Sequence, residues 1–163
     1  IIPIVTCPQG WTLFGDNCYY VGSIVSYTTC KSECSSLSAE MLCVEDSRED
    51  AFLDILMINT GSLWLGLNDE AVEGVYEWEG TCSSNYTNWD VATGQPNNLS
   101  NQDYIYKSET ANGRWHDINA NGTRFCACQF PAPTSSPTAV PTLSPSGSPT
   151  ATPSYSPSSF PTI

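Results

Sequence analysis

Eight cysteines offer this 163-residue chain its most distinctive chemistry, and their spacing decides which chemistry that is. They stand at Cys7, Cys18, Cys30, Cys34, Cys43, Cys82, Cys126 and Cys128, with no Cys-x-x-Cys pair, and the sole histidine is His116. Zinc sites draw on closely spaced thiolates and imidazoles, so metal-thiolate binding ranks well below disulfide formation. An even cysteine count, together with the Asn-x-Ser/Thr sequons at Asn85, Asn98 and Asn121, points to an oxidising compartment and thus to a secreted or cell-surface protein. Catalytic frames are missing. With one histidine, no Gly-x-Ser-x-Gly, no phosphate loop and no carboxylate pair in a recognisable setting, nothing supports an enzyme.

Charge narrows the partners. Seventeen acidic residues against five basic ones give a net charge of -12, which repels nucleic acid and anionic membrane surfaces and disfavours sulfated or carboxylated glycans. Neutral glycans, cations and basic proteins are the partners this charge favours. Glu45, Asp46, Glu49, Asp50 and Asp54 gather around one helix start, where they read as a solvated face complementing the helix dipole. No apolar run is long enough to span a bilayer, so no membrane insertion is expected. No signal peptide is visible either, and the chain is expected to begin after processing or inside a longer precursor.

The elements that must position these residues follow from periodicity. Cys7 and Cys18 flank Trp11-Thr12-Leu13-Phe14-Gly15-Asp16-Asn17, whose Gly-Asp-Asn turn suggests a hairpin stapled at its base, and Tyr19-Tyr20-Val21 reads as a strand. Residues 26–37 look helical, with Cys30 and Cys34 on one face. Ser47 and Asp50 resemble a capping box ahead of an apolar stripe of Ala51, Phe52, Ile55 and Leu56, which predicts a second helix. Strands are expected at 41–44, 63–67, 75–78, 104–106 and 124–130, and the Asn/Ser/Thr/Gly-rich stretch 80–102 is a long loop that Trp89 could anchor. The opening Ile-Ile-Pro-Ile-Val reads as an edge strand.

Trp64-Leu65-Gly66-Leu67, Trp78-Glu79-Gly80, Thr87-Asn88-Trp89, Gln95-Pro96-Asn97-Asn98, Trp115-His116-Asp117 and Cys128-Gln129-Phe130 closely resemble, in order and spacing, the landmarks of long-form C-type lectin-like domains. The resemblance runs from Cys7 to about Phe130. It implies an α+β fold in which two helices flank two small antiparallel sheets and a long loop carries the ligand site, with Trp64, Trp78, Trp89 and Trp115 in the core. It also implies a bridge of Cys7 with Cys18 and one of Cys34 with Cys128, while Tyr104 and Ala120 occupy the positions of a lost family bridge. Cys30, Cys43, Cys82 and Cys126 then allow three pairings. Shared helix and strand faces favour Cys30 with Cys126, leaving Cys43 with Cys82.

The same resemblance maps the family's calcium and sugar site onto Gln95, Asn97, Gln102, His116 and Asp117, with Pro96 as the cis proline that aims Gln95 and Asn97. Calcium takes six to eight oxygens and binds more tightly as carboxylates are added. Gln95, Asn97 and Asp117 are suitable metal ligands, whereas Gln102 replaces a carboxylate and His116 offers a nitrogen better suited to transition metals. Asp103 could substitute if the loop shifts. Calcium binding is therefore expected to be weak or lost, a glycan on Asn98 would crowd the site, and the motif does not name a sugar.

Residues 1–130 are read as the domain and 131–163 as a stalk. From Pro133, proline recurs every fourth residue and is followed at once by Thr134, Thr138, Thr142, Ser146, Thr150, Ser154, Ser158 and Thr162. Such a tract favours polyproline II, about 3.1 Å per residue, and suits dense O-glycosylation. It resembles the hydroxyproline-rich, glycan-coated stalks of algae and related microbes. The leading expectation is a structural or adhesive glycoprotein that binds neutral glycans or neighbouring glycoprotein subunits within a surface filament or matrix, with a homopolymer as the corresponding assembly. A calcium-dependent lectin used for adhesion or capture is the alternative.

Overall fold

The computed structural model describes residues 5–99 and 101–133, so Ile1 to Ile4 of the expected edge strand and every proposed O-glycan position lie outside the described residues. The elements run β1 (Thr12–Phe14), β2 (Asn17–Val25), α1 (Tyr27–Ser36), β3 (Glu40–Met41), α2 (Ser47–Met57), β4 (Leu63–Asn68), β5 (Glu77–Trp78), β6 (Tyr104–Lys107), β7 (Trp115–Ile118) and β8 (Arg124–Pro131). This is the α+β arrangement that the sequence implies. Among the described residues no helix is long and apolar enough to cross a membrane.

The two expected sheets are joined. Strands run β1-β2-β8-β4-β6-β7, with β3 on β8 and β5 on β4, and the link between the halves is a single parallel pair, Leu63 with Phe125. One antiparallel block is thus built around β8 and another around β4. Gly66 lets the chain before α2 lie on β4: its N–H donates to the Leu42 carbonyl at 2.7 Å, and a Cβ there would stand 3.0 Å from that oxygen.

Helix starts are set by short side chains. Ser26 accepts from the Thr29 N–H and begins α1. The cap of α2 is Asp46 rather than Ser47, because its carboxylate accepts from both Arg48 N and Glu49 N. A carboxylate one residue earlier satisfies two orphan donors and meets the positive end of the dipole, which a hydroxyl does less well.

Strand alternation divides the core into two layers. Leu63, Leu65 and Leu67 of β4 face α2 with Phe52, Leu53, Ile105, Trp115 and Ala127. Trp64 faces α1 with Tyr27, Tyr104, Cys126 and Cys128. Trp64 and Trp115 are fully buried, while Trp78 and Trp89 are partly buried and pack against the α2 layer. The acidic group at α2 is only partly a solvated face. Asp54 is half exposed, but Glu49 and Asp50 are buried, Glu49 accepting from Tyr19 Oη at 2.5 Å and Asp50 from Trp115 Nε1 at 2.9 Å.

Four disulfides tie these layers: Cys7 to Cys18, Cys30 to Cys126, Cys34 to Cys128 and Cys43 to Cys82, with Cα separations of 5.6, 5.1, 5.4 and 5.8 Å. Cys30 and Cys34 share a face of α1 and Cys126 and Cys128 a face of β8, so their bridges are adjacent rungs spanning 96 and 94 residues. A lone bridge closing a loop near 100 residues restricts the unfolded chain by about 4.7 kcal/mol, whereas a second rung closes only a ring of roughly eight residues, worth about 2.5 kcal/mol. The Cys30→Ala/Cys126→Ala variant is therefore expected to lose about a third of the stability lost when all four cysteines are replaced. Urea unfolding of both variants measures this, and equal losses would remove the two-rung account.

Candidate functional site

The long loop is built down from β5 toward β7. Trp89 sits edge-on against Trp115 at 5.9 Å and bridges it through the backbone, and Asp90 N donates to the Trp115 carbonyl at 3.1 Å. A 3-10 turn (Val91–Thr93) ends at Gly94 with φ 82°, and Gln95 N returns to the Asp90 carbonyl at 3.1 Å. This closed turn delivers Gln95 to β7. The Gln95-Pro96 bond is cis.

Asp117 organises the turn beyond that bond. Its Oδ2 accepts from the backbone N–H of Asn97 at 2.8 Å and of Asn98 at 2.6 Å, while its own N–H donates to Gln95 Oε1 at 3.3 Å. Asn97 Oδ1 accepts from Leu99 N at 3.0 Å, and Gln102 Oε1 accepts from the same N–H at 3.1 Å. The structure therefore brings Gln95, Pro96, Asn97 and Asp117 together and uses Gln102 as an internal brace. His116 is turned to another partner, its Nε2 lying 3.2 Å from Asp90 Oδ2.

Asp103 stands outside this group of hydrogen bonds, its carboxylate accepting from Asn101 Nδ2 at 2.9 Å. Its carbonyl accepts from Asp69 N at 3.0 Å, and burial followed by the charges of Asp69 and Glu70 raises its carboxyl above the ordinary range. Glu73 is raised in the same way by desolvation, then by Asp69 and Asp103. Its carboxylate accepts from Asn98 Nδ2, and Asn98 Oδ1 accepts from Gln102 N at 3.2 Å. Tyr76, edge-tilted on Trp89 at 5.1 Å, is raised by burial and by the charges of Asp69, Asp117 and Glu73. Like charges are crowded around one loop.

Two buried oxygens identify where a cation would relieve that crowding. Asp69 and Asp117 are 2% and 3% exposed, and the Oδ1 of each has no hydrogen-bond partner. A buried anionic oxygen without a donor is costly unless something positive meets it. Carboxylate, amide and carbonyl oxygens are the donors calcium accepts. Zinc has no comparable place: among the described residues the one close set of Cys, His or acidic donors is Cys30, Cys34 and Cys126, all in disulfides.

Sequence reading located Asp117 and the Gln-Pro-Asn turn but passed over Asp69, Glu73 and Asp90. The spacing of Asp69 and Glu73, four residues apart directly after the buried strand β4, is the signal that could have found the first two. Asp90 carried none, because its role depends on a histidine brought in by β7.

The family model described as Lectin C-type domain matches residues 23–130. An alpha-N-acetylgalactosamine-specific lectin of Patiria pectinifera is 32% identical over 120 residues, covering 66% of this chain and 70% of its own. Lectin BRA-3 of Megabalanus rosa is 29% identical, covering 77% and 80%. The solved C-type lectin CEL-I of Cucumaria echinata superposes with a TM-score of 0.70 at 30% identity, covering 76% of this chain and 96% of that one.

Proposed function

Because this chain belongs to the C-type lectin domain family, a family of non-enzymatic binding domains, we propose that it is a carbohydrate-binding lectin whose site is the 95–102 loop with Asp117, completed by calcium. The observation that carries this reading is the buried, partnerless Oδ1 of Asp117 beside Gln95 and Asn97. Bound calcium would supply a Lewis-acidic centre whose coordination shell is finished by vicinal hydroxyls of a neutral sugar. Asp117 would hold it through Oδ1 while Oδ2 keeps the loop backbone in place, and Gln95 and Asn97 would add amide oxygens. Asp69, Glu73 and Asp103 add negative charge beside this loop and strengthen its attraction for a cation, but their oxygens do not close on a common point. His116 is left out of the calcium set, its Nε2 being turned to Asp90.

Calcium thus receives a larger role than the sequence alone suggests, since the charges of Asp69 and Glu73 reinforce the pull of Asp117 on a cation. Capture of glycans takes precedence over a filament role. Relatives named as lectins support the former, while the filament reading rests on a stalk outside the described residues. We place N-glycans at Asn85 and Asn121, both exposed, and assign Asn98 to the loop, since its amide already bonds Glu73 and Gln102. A secreted or surface location follows from the disulfides and these glycans.

Calorimetry with N-acetylgalactosamine, galactose and mannose, in calcium and then in excess chelator, tests the reading. Saturable binding of at least one sugar is expected in calcium and should disappear on chelation. Absence of binding in calcium to all three, and to a broad panel of neutral glycans, would overturn it.

A further inference from the structure

We infer that a second saccharide site, selective for a carboxylated sugar and independent of calcium, lies in the cavity where the starts of β4 and β8 meet the end of β6. The cavity encloses about 550 Å³, within the range of small-molecule sites, and is lined by Ser62, Tyr106, Glu109, Thr110, Arg124 and Phe125 among others. It sits away from the ligand loop: β6 enters from the loop at Tyr104, and the cavity is formed by Tyr106 and the residues after it.

Arg124 is the observation on which the inference rests. All 17 side-chain carboxylates of the chain fall among the described residues, yet Arg124 makes an ion pair with none of them. Lys31, Arg48 and Lys107 all have acidic partners, and Arg114 donates to Asn88 Oδ1 at 3.1 Å. The guanidinium of Arg124 instead lies 3.9 Å over the Tyr106 ring and donates only to the neighbouring Thr123 carbonyl, at 2.6 Å. A guanidinium held over an aromatic face keeps its N–H fork available for two parallel hydrogen bonds to a carboxylate. Arg114 and Arg124 are the two bases without an acidic partner, and of these only Arg124 has no side-chain hydrogen-bond partner, which in a cavity of so acidic a chain marks an anion receptor.

The remaining lining chooses among anions. Glu109 is exposed on the rim, and the hydroxyls of Ser62, Ser108 and Thr110 lie nearby, with Ser62 Oγ accepting from Glu109 N at 3.2 Å and Ser108 Oγ 3.2 Å from Thr110 Oγ1. The Glu109 carboxylate repels a doubly charged phosphate more than a single carboxylate and accepts readily from sugar hydroxyls, and the Phe125 ring offers a face for sugar C–H groups. Uronate residues match this set: a carboxylate for Arg124, hydroxyls for Glu109 and the Ser/Thr groups. The net charge of -12 still opposes long polyanions at a distance, but this repulsion is screened beyond about 8 Å at physiological salt.

The test uses the full chain in excess chelator, so that the calcium site contributes nothing. Glucuronate, glucose and acetate are titrated while the Phe125 amide and Arg124 Nε–H signals are followed by NMR. Glucuronate is expected to bind at millimolar concentration and to exceed glucose and acetate by about tenfold, and Arg124→Ala to weaken it about tenfold, or about 1.4 kcal/mol. Arg124→Lys should recover little, since an ammonium lacks the planar fork. Asp117→Asn is the control, expected to keep glucuronate binding while losing calcium-dependent sugar binding. Equal response to acetate would overturn the sugar half, and an unchanged Arg124→Ala titration would overturn the site. Neither outcome bears on the calcium-dependent reading, which Asp117→Asn reports separately.

Discussion

Replacing Asp117 by Asn is expected to abolish calcium-linked sugar binding, weakening it by about 100-fold or more, equivalent to about 2.7 kcal/mol, while the metal-free domain melts no lower than the wild type. The two oxygens of Asp117 have separate tasks. Oδ2 closes the loop by accepting from Asn97 N and Asn98 N, and Oδ1 is buried with no donor. An asparagine oxygen can take over the first task, but its amide nitrogen cannot coordinate a cation. Asp117→Ala loses both and should also lower stability by about 1–3 kcal/mol for each orphaned N–H that stays dry. Calorimetry and melting curves of the two variants, each with calcium and with chelator, separate the roles. If Asp117→Asn binds calcium and sugar as the wild type does, Asp117 is only a loop clamp.

Lys107→Met is expected to destabilise the domain by about 3–5 kcal/mol, or roughly 10–20 °C in Tm. Lys107 is fully buried, its Nζ lying 3.0 Å from Asp50 Oδ1, 2.9 Å from Asp54 Oδ1 and 2.9 Å from the Gly113 carbonyl. Asp50 in turn accepts from Trp115 Nε1 and, at 2.6 Å, from Asn88 Nδ2. Removing the cation strands a buried carboxylate that also positions the base of the ligand loop. Chain packing leaves no slack for rearrangement, since a Cβ on Gly113 would collide with Asp54 Oδ1. The double variant Lys107→Met/Asp50→Asn should regain part of the loss, because the uncompensated charge goes with it. Chemical denaturation of both variants checks this, and a Lys107→Met variant within about 1 kcal/mol of the wild type would show the hub to be dispensable.

Both helices and most strands could be read from local pattern. The helix behind residue 47 and the continuous apolar run Leu63–Leu67 are properties of neighbouring residues, although α2 turns Phe52, Leu53 and Met57 inward and leaves Ala51 and Ile55 of the expected stripe exposed. Partners brought together from distant parts of the chain left no such trace. Asp50 looked like one more surface acid because its cation, Lys107, arrives on β6, and nothing near Asp50 signals it. Asp46 and Ser47 are both good cap residues one position apart, and only backbone geometry separates them. At the site, Gln95, Pro96, Asn97 and Asp117 were recognisable as a motif. Asp69 and Glu73 are marked in the sequence only by their spacing after β4, and their link to the site comes from the Asn98 and Asp103 contacts that the loop brings to them. The single-pair junction of β4 with β8 likewise depends on how two blocks meet.

The described chain enters and leaves this domain side by side: Cys7 is bridged to Cys18, Pro131 pairs with Asn17, and Ala132 N donates to the Asp16 carbonyl at 2.7 Å. Tension applied through the two flanking segments would therefore peel β8 from β2 one residue at a time rather than shear the whole ladder. Peeling can travel only from Pro131 to Gln129 before Cys128 transfers the pull to α1 through its bridge with Cys34. Strain on a tether would thus stop at a covalent latch, leaving the Gln95–Pro96 turn and Asp117 outside the force path.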